Sequence, residues 1–177
     1  MKLSPMHRGF TLIEALIAIA IVALAVGGPL YSANRALVAA QNSRNQLTAS
    51  YLAQEGIEYV RKVRDNDFLS DQVGGWLSFI NTNPMFQCRG GGISHTCSLD
   101  PWAATPVALC SGGVCTALNI DGQGRFVQSS GTATIFKRKI YLIDVNANED
   151  TVVSQVSWAF HGTTYDVTIT DHLTSWQ

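Results

Sequence analysis

Charge is scarce in this 177-residue chain: 14% of its residues are Asp, Glu, Lys or Arg, and the formal net charge is −1. The only run of three consecutive basic residues is Lys137-Arg138-Lys139. A nucleic-acid partner calls for a basic patch or stripe, so none is expected here. The triplet falls in a strand-like segment and reads as a solvated sheet face. Catalytic signatures are missing as well. There is no G-x-S-x-G elbow, no H-E-x-x-H and no G-x-x-x-x-G-K, so hydrolase, zinc-protease and phosphate-cradle chemistry have no sequence support. Gly122-Gln123-Gly124-Arg125 lacks the partners of a nucleotide loop and reads as a hairpin turn, while His95, His161 and His172 are scattered rather than set together. Asp144-Val145-Asn146-Ala147-Asn148 has the oxygen-bearing spacing that opens a calcium loop. Glu149 stands where such a loop needs Gly, however, and Gln155 where it needs a bidentate Glu, so the stretch reads as a turn. No metal, no cofactor and no enzymatic activity are expected.

One stretch without charge is also strongly apolar. From Ala15 to Asn34 there are 20 residues without a charged side chain, dominated by Ala, Ile, Leu and Val. About 20 apolar residues in a helix cross the ~30 Å hydrocarbon core of a bilayer. Lys2 and Arg8 precede the run, which favours a cytoplasmic N-terminus and export of the residues beyond the run. Glu14 is out of place at the head of such a run, because a carboxylate in a membrane span costs ~2–3 kcal/mol and so calls for a partner or a function. An ordinary secretory signal with Ala23-Leu24-Ala25 as its cleavage site has no need of that charge, and neither has a simple signal anchor.

The residues around Glu14 resemble a known signal. Arg8-Gly9-Phe10-Thr11-Leu12-Ile13-Glu14 followed by the apolar run is similar to the class III prepilin signal of type IV pilins and type II secretion pseudopilins. The resemblance implies that prepilin peptidase cuts between Gly9 and Phe10 and methylates the new amine of Phe10. It implies also that Glu14 faces the cationic N-terminus of a neighbouring subunit during assembly. Pairing of that kind removes the cost of a lone carboxylate in apolar surroundings. Gly27 and Gly28 before Pro29 are expected to interrupt the helix, because proline removes a backbone hydrogen bond and kinks the chain. Pilins carry a helix-weakening region here, which by resemblance unwinds when subunits pack.

Beyond Arg35 the pattern becomes amphipathic. Leu47, Tyr51, Leu52, Ile57, Val60 and Val63 recur at helical spacing. Glu55, Glu58, Arg61, Lys62 and Arg64 fit an exposed face, with Glu58 and Lys62 as an i,i+4 pair. The helix is expected from Phe10 to Arg64, ending near Asp65–Asp67, with a length of ~80 Å at ~1.5 Å per residue. A loop-rich stretch over 65–131 comes next, punctuated by Gly74-Gly75, Asn83-Pro84, Gly90-Gly91-Gly92 and Gly112-Gly113. It carries a helical turn at Trp76–Ile80, a short element at Ala108–Cys110, and strands at Val114–Asn119 and Gly124–Gln128 joined by an Asp121-Gly122 turn. The last third alternates apolar and polar residues through Thr132–Val145, Val152–Phe160 and Tyr165–Ile169, which predicts an antiparallel meander with one buried face. The amphipathic half of the long helix is its natural cover.

Cys88, Cys97, Cys110 and Cys115 all lie beyond the apolar run. An even number of cysteines in an exported domain reads as disulfide-bonded. Three pairings exist, and the local one, Cys88–Cys97 with Cys110–Cys115, is favoured because each pair brackets a Gly-rich loop. A zinc site built from all four fits poorly, since the spacing of the first pair exceeds the usual ligand knuckle. Removing Lys2 and Arg8 with the leader leaves 10 basic against 13 acidic side chains, a net −3.

The expected organisation is a leader at 1–9, a transmembrane and assembly segment at 10–34, and an exported α+β domain at 35–177. Leu52-Ala53-Gln54-Glu55-Gly56-Ile57-Glu58 with Val60-Arg61, and Val156-Ser157-Trp158 with Leu173-Thr174-Ser175-Trp176, resemble the V- and I-type minor pilins and pseudopilins. The resemblance implies the pilin fold and a structural subunit of a type IV pilus or type II secretion pseudopilus. Its partners would be prepilin peptidase, other pilin subunits and the inner membrane. The rival reading is an exported, membrane-tethered enzyme or binding protein on a pilin-like anchor.

Overall fold

A computed structural model describes residues 9–175. Lys2 and Arg8 of the leader, and Trp176 of the C-terminal resemblance, lie outside the described residues. The first element is the helix α1, Leu12–Ser70, 59 residues long. Two compact units divide the chain, one ending at Ser43 and the other starting at Arg44. In the first, α1 presents its apolar side chains outward: Ile13, Leu16, Ile17, Ile19, Val22 and Leu24 are all exposed. α1 runs through Gly27, Gly28 and Pro29, the stretch where the kink is expected. Proline costs a helix one backbone bond, and the turns on either side keep theirs.

The second unit holds the core. Ala49, Leu52, Ala53, Gly56, Ile57 and Val60 form the buried face of α1, which packs on a seven-stranded sheet. Its strands are β1 (Cys97–Leu99), β2 (Val107–Leu109), β3 (Ala117–Ile120), β4 (Phe126–Val127), β5 (Thr132–Asn146), β6 (Glu149–Phe160) and β7 (Thr163–Thr174). β5 organises the sheet. Along one edge it pairs with β6, which pairs in turn with β7; along the other it meets β3 and β1, which carry β4 and β2. All these pairings are antiparallel. The fold is α+β, a long N-terminal helix on a C-terminal antiparallel sheet.

Period-2 alternation holds where it was expected. Phe136, Ile140 and Leu142 on β5 and Val152, Val156 and Trp158 on β6 are buried, and Val167, Ile169 and Leu173 continue that face on β7. Gly56 lets the helix approach this face. A Cβ at that position would lie 2.5 Å from Ser154 Oγ and 2.9 Å from Ile140 Cδ1.

Several local expectations are corrected. Arg138 is not on a solvated face. It occupies an inward position of β5, fully buried between Phe136 and Ile140. The partner of Glu58 is Arg61, at 2.6 Å, rather than Lys62, and Arg61 also reaches Asp171 on β7 at 2.6 Å. Lastly, α1 ends at Ser70, beyond Asp65–Asp67. Those residues are weak helix formers rather than breakers, and Phe68, packed against the core, draws the helix onward.

The middle of the chain is loop-rich, as expected, with α2 (Gly75–Asn81) covering the anticipated helical turn. Trp76 on α2 donates from Nε1 to the carbonyl of Ala147 at 2.8 Å. Cys88 is bonded to Cys97 and Cys110 to Cys115. Both bridges are local, and the first is buried with the core cluster. The second closes a turn through Gly112 and Gly113, both at positive φ. β3 consequently starts at Ala117 rather than at Val114. The Asp144–Asn148 stretch belongs to the β5–β6 turn: Asp144 pairs with Arg89 at 3.0 Å, and Asn146 Oδ1 accepts from the N–H of Asn148 at 2.9 Å.

Candidate functional site

The residues singled out around the apolar run lie at and just before the start of α1. Gly9, Phe10 and Thr11 precede the helix, and Leu12 is its first residue. Thr11 is the N-cap. Its carbonyl accepts from Ala15 N at 3.2 Å, the first helical bond, and its Oγ1 accepts from the backbone N–H of Glu14 at 3.3 Å. The Thr11 hydroxyl also faces Glu14 Oε2, at 3.5 Å. Thr11-Leu12-Ile13-Glu14 therefore has the sequence of a capping box, with the bond from the Glu14 N–H to the Thr11 hydroxyl formed and the Glu14 carboxylate turned to that same hydroxyl. A carboxylate in the first turn also complements the positive end of the helix dipole. Glu14 thus has a use inside its own chain, in addition to any use between chains. The T-x-x-E spacing by itself announces this cap.

Gly9 meets no crowding. A Cβ added there has no atom within 4 Å, and its φ lies outside the region that favours glycine. Phe10 beside it is exposed. Among the described residues, packing gives no reason for glycine at position 9. Gly27 and Gly28 likewise have open space about them, inside an unbroken helix.

From Leu12 onward α1 is long and apolar enough to cross a membrane, and the apolar window is unburied. An exposed apolar surface of this extent marks an interaction with lipid or protein.

A family model described as a prokaryotic N-terminal methylation motif matches residues 5–28. This chain carries a class III prepilin signal of the type IV pilin kind. The matched stretch contains Gly9, Phe10 and Glu14 as well as Gly27 and Gly28, and stops one residue before Pro29. No curated protein and no solved structure matches the chain. The prepilin signal implies processing by prepilin peptidase and pilin-type assembly. Followed by the apolar helix, it fits a membrane-anchored protein.

The histidines are not brought together. His95 Nδ1 lies 3.1 Å from the carbonyl of Gly91, His172 Nδ1 lies 2.7 Å from Glu149 Oε1, and the His161 ring stands edge-on to Phe160 at 4.4 Å. Each is held within its own loop or hairpin. Neither periodicity nor motif marked Arg138 and Asp150 as buried charges. Arg89 holds Asp150 through two hydrogen bonds, Nε to Oδ2 at 2.7 Å and Nη2 to Oδ1 at 2.9 Å. That contact, more than any other, raises the proton affinity of Arg89 above its ordinary value.

Proposed function

We propose that the chain is a minor pilin or pseudopilin, a structural and non-enzymatic subunit held in the inner membrane until it joins a type IV pilus or type II secretion pseudopilus. In this reading prepilin peptidase cuts between Gly9 and Phe10 and the new Phe10 amine is methylated. The helix crosses the membrane once, and the unit beginning at Arg44 is exported, where an oxidising compartment sustains its two disulfides. Glu14 pairs with the amine of a neighbouring subunit, and Gly27, Gly28 and Pro29 supply a stretch of α1 that unwinds at low cost when subunits pack.

The observation carrying the proposal is the conjunction at the helix start. A glycine that packing among the described residues does not require directly precedes Phe10, and a carboxylate heads an exposed apolar helix. Recognition by an external peptidase accounts for the first. Charge pairing between chains accounts for the second beyond what capping needs. Intact-mass measurement on the protein purified from its native membrane tests the reading. The expected species starts at Phe10 and carries one added methyl group. A species starting at Val26, or one retaining Met1, is incompatible with it.

A further inference from the structure

Within the unit that begins at Arg44 lies a groove of about 510 Å³, between α1 and the loops flanking β4. Tyr51, Glu55, Trp102, Arg125, Phe126 and Thr48 line it. Its size falls in the ~300–1,000 Å³ range of small-ligand sites. Two of its aromatic residues are far more open than core packing leaves them: Tyr51 is 69% and Trp102 58% exposed.

The polar groups of the groove are held in place from behind. Glu55 is pinned by the buried guanidinium of Arg138, whose Nη1 lies 2.5 Å from Oε2. Across the groove Arg125 is held by Asp121, Nε to Oδ2 at 2.7 Å, and by Gln123 Oε1 at 3.0 Å. The same guanidinium lies over the indole of Trp102, 4.7 Å from the ring centroid. The Trp102 loop is fastened by Asp100, a buried carboxylate that accepts from the N–H of Trp102 at 3.1 Å and of Gln128 at 2.8 Å. One fixed anion, one fixed cation and open aromatic surface therefore meet in a cleft whose walls are braced. Glu55, Arg125 and Trp102 are thus placed before a ligand arrives, which lowers the cost of binding.

We propose that this groove binds a neutral saccharide, with a sugar ring seated against Tyr51 and Trp102 and its hydroxyls bridging Glu55 and Arg125. The charge pattern selects the ligand class. Each charge already has its partner, Glu55 in Arg138 and Arg125 in Asp121, so an incoming cation or anion finds its counter-charge taken and a like charge beside it. A neutral polyol escapes both penalties, because each hydroxyl donates to a carboxylate and accepts from a guanidinium, and such charge-assisted bonds are the stronger kind. A pyranose ring adds an apolar C–H face that covers an aromatic side chain, the remaining surface of the groove. Every residue of the groove lies beyond Arg44, so the saccharide site stands or falls independently of the assembly role.

The test uses the full chain in a zwitterionic, sugar-free detergent. Chitohexaose, cellohexaose and maltohexaose are titrated against it, with a heparin-derived hexasaccharide as the acidic comparison, and binding is followed by calorimetry. At least one neutral hexasaccharide should bind and the acidic one should not. Trp102→Ala and Tyr51→Ala should each weaken that binding about ten-fold. Both side chains are exposed, so the variants should keep the parent's circular dichroism. Val73→Ala, on the exposed turn after α1, should bind as the parent does. The proposal is overturned if no neutral hexasaccharide binds, if only the acidic one does, or if binding survives both aromatic substitutions unchanged. Self-association of the full chain that Trp102→Ala abolishes, with no saccharide bound, would assign the groove to a neighbouring copy and overturn it equally.

Discussion

Arg138 on β5 reaches Glu55 on α1, with Nη1 2.5 Å from Oε2, and the guanidinium has no exposed surface. The same nitrogen donates to the carbonyl of Leu52 at 3.0 Å, and Nη2 donates to that of Leu99 at 2.7 Å. One side chain thus ties the helix, the central strand and the end of β1 together. Burial pushes the proton affinity of Arg138 down and Glu55 holds it up; an arginine stays charged in either case. The pair also sets the orientation of Glu55 toward the groove.

Truncating this residue should be costly. Arg138→Ala removes the partner of Glu55 and of two carbonyls, and breaking a buried pair from one side costs ~3–5 kcal/mol. The double variant Glu55→Gln/Arg138→Met, which leaves no charge behind and keeps most of the volume, should cost less than Arg138→Ala. Urea unfolding of the full chain in detergent micelles measures both. A double variant less stable than Arg138→Ala would contradict this role for the pair.

Gly56 marks where the helix comes nearest the sheet. Gly56→Leu should gain ~1 kcal/mol of helix propensity and lose ~1–3 kcal/mol or more to overpacking against Ser154 and Ile140. The expected result is a lower unfolding midpoint. Gly27→Leu, in open space on the same helix, should show the propensity gain without the overpacking. Equal effects at the two positions would remove close approach as the reason for Gly56.

The turn between β3 and β4 should respond to acid. Asp121 accepts from the backbone N–H of Arg125, which with the guanidinium of Arg125 and the N–H of Gln123 lowers its pKa from the ordinary 3.8. A carboxylate lowered by folding contributes stability that is complete above its unfolded pKa and is lost as pH falls through the folded one. Carboxyl NMR titration should place the Asp121 midpoint below 3.8. Arg125→Ala should preserve much of the depression, because its largest cause is a main-chain donor. A midpoint at or above the ordinary value would refute the assignment.

The capping box separates the two uses of Glu14. Glutamine serves as well as glutamate at the third position of such a box. Glu14→Gln should therefore keep the helix start and the Gly9–Phe10 cut while failing to enter sheared filaments. Thr11→Ala should do the opposite: it loses ~1 kcal/mol of capping and keeps the charge for assembly. Immunoblots of membrane and filament fractions read both. Filaments that take up Glu14→Gln at the parent level would leave Glu14 with a capping role alone.

Legibility in the sequence followed the range of the physics. Residue type and short spacing determine a great deal by themselves. Twenty uncharged residues after a basic leader announce a membrane-length helix, because chain length and hydrocarbon thickness are fixed quantities. Gly9 through Glu14 carry the prepilin signal as linear text. Alternation across Val152–Phe160 and Tyr165–Ile169 announces strands and their inner face, because side chains alternate along any strand. The two disulfides are likewise short-range, bridging 9 and 5 positions.

The features that the tertiary structure alone decided depend on partners far apart in sequence. Arg138 sits within a basic triplet that reads as solvated. It is buried because β5 places it inward and because Glu55, 83 positions earlier, comes within reach when the helix packs on the sheet. The helix runs past Asp67 because Phe68 finds a core to join, a contact that local propensity does not contain. The groove is assembled in the same way, from α1 residues at 48–55, loop residues at 102, 124 and 125, and Phe126 of β4. Buried charge is admissible only where its compensation is at hand, and that compensation is a property of packing, so no window of sequence displays it.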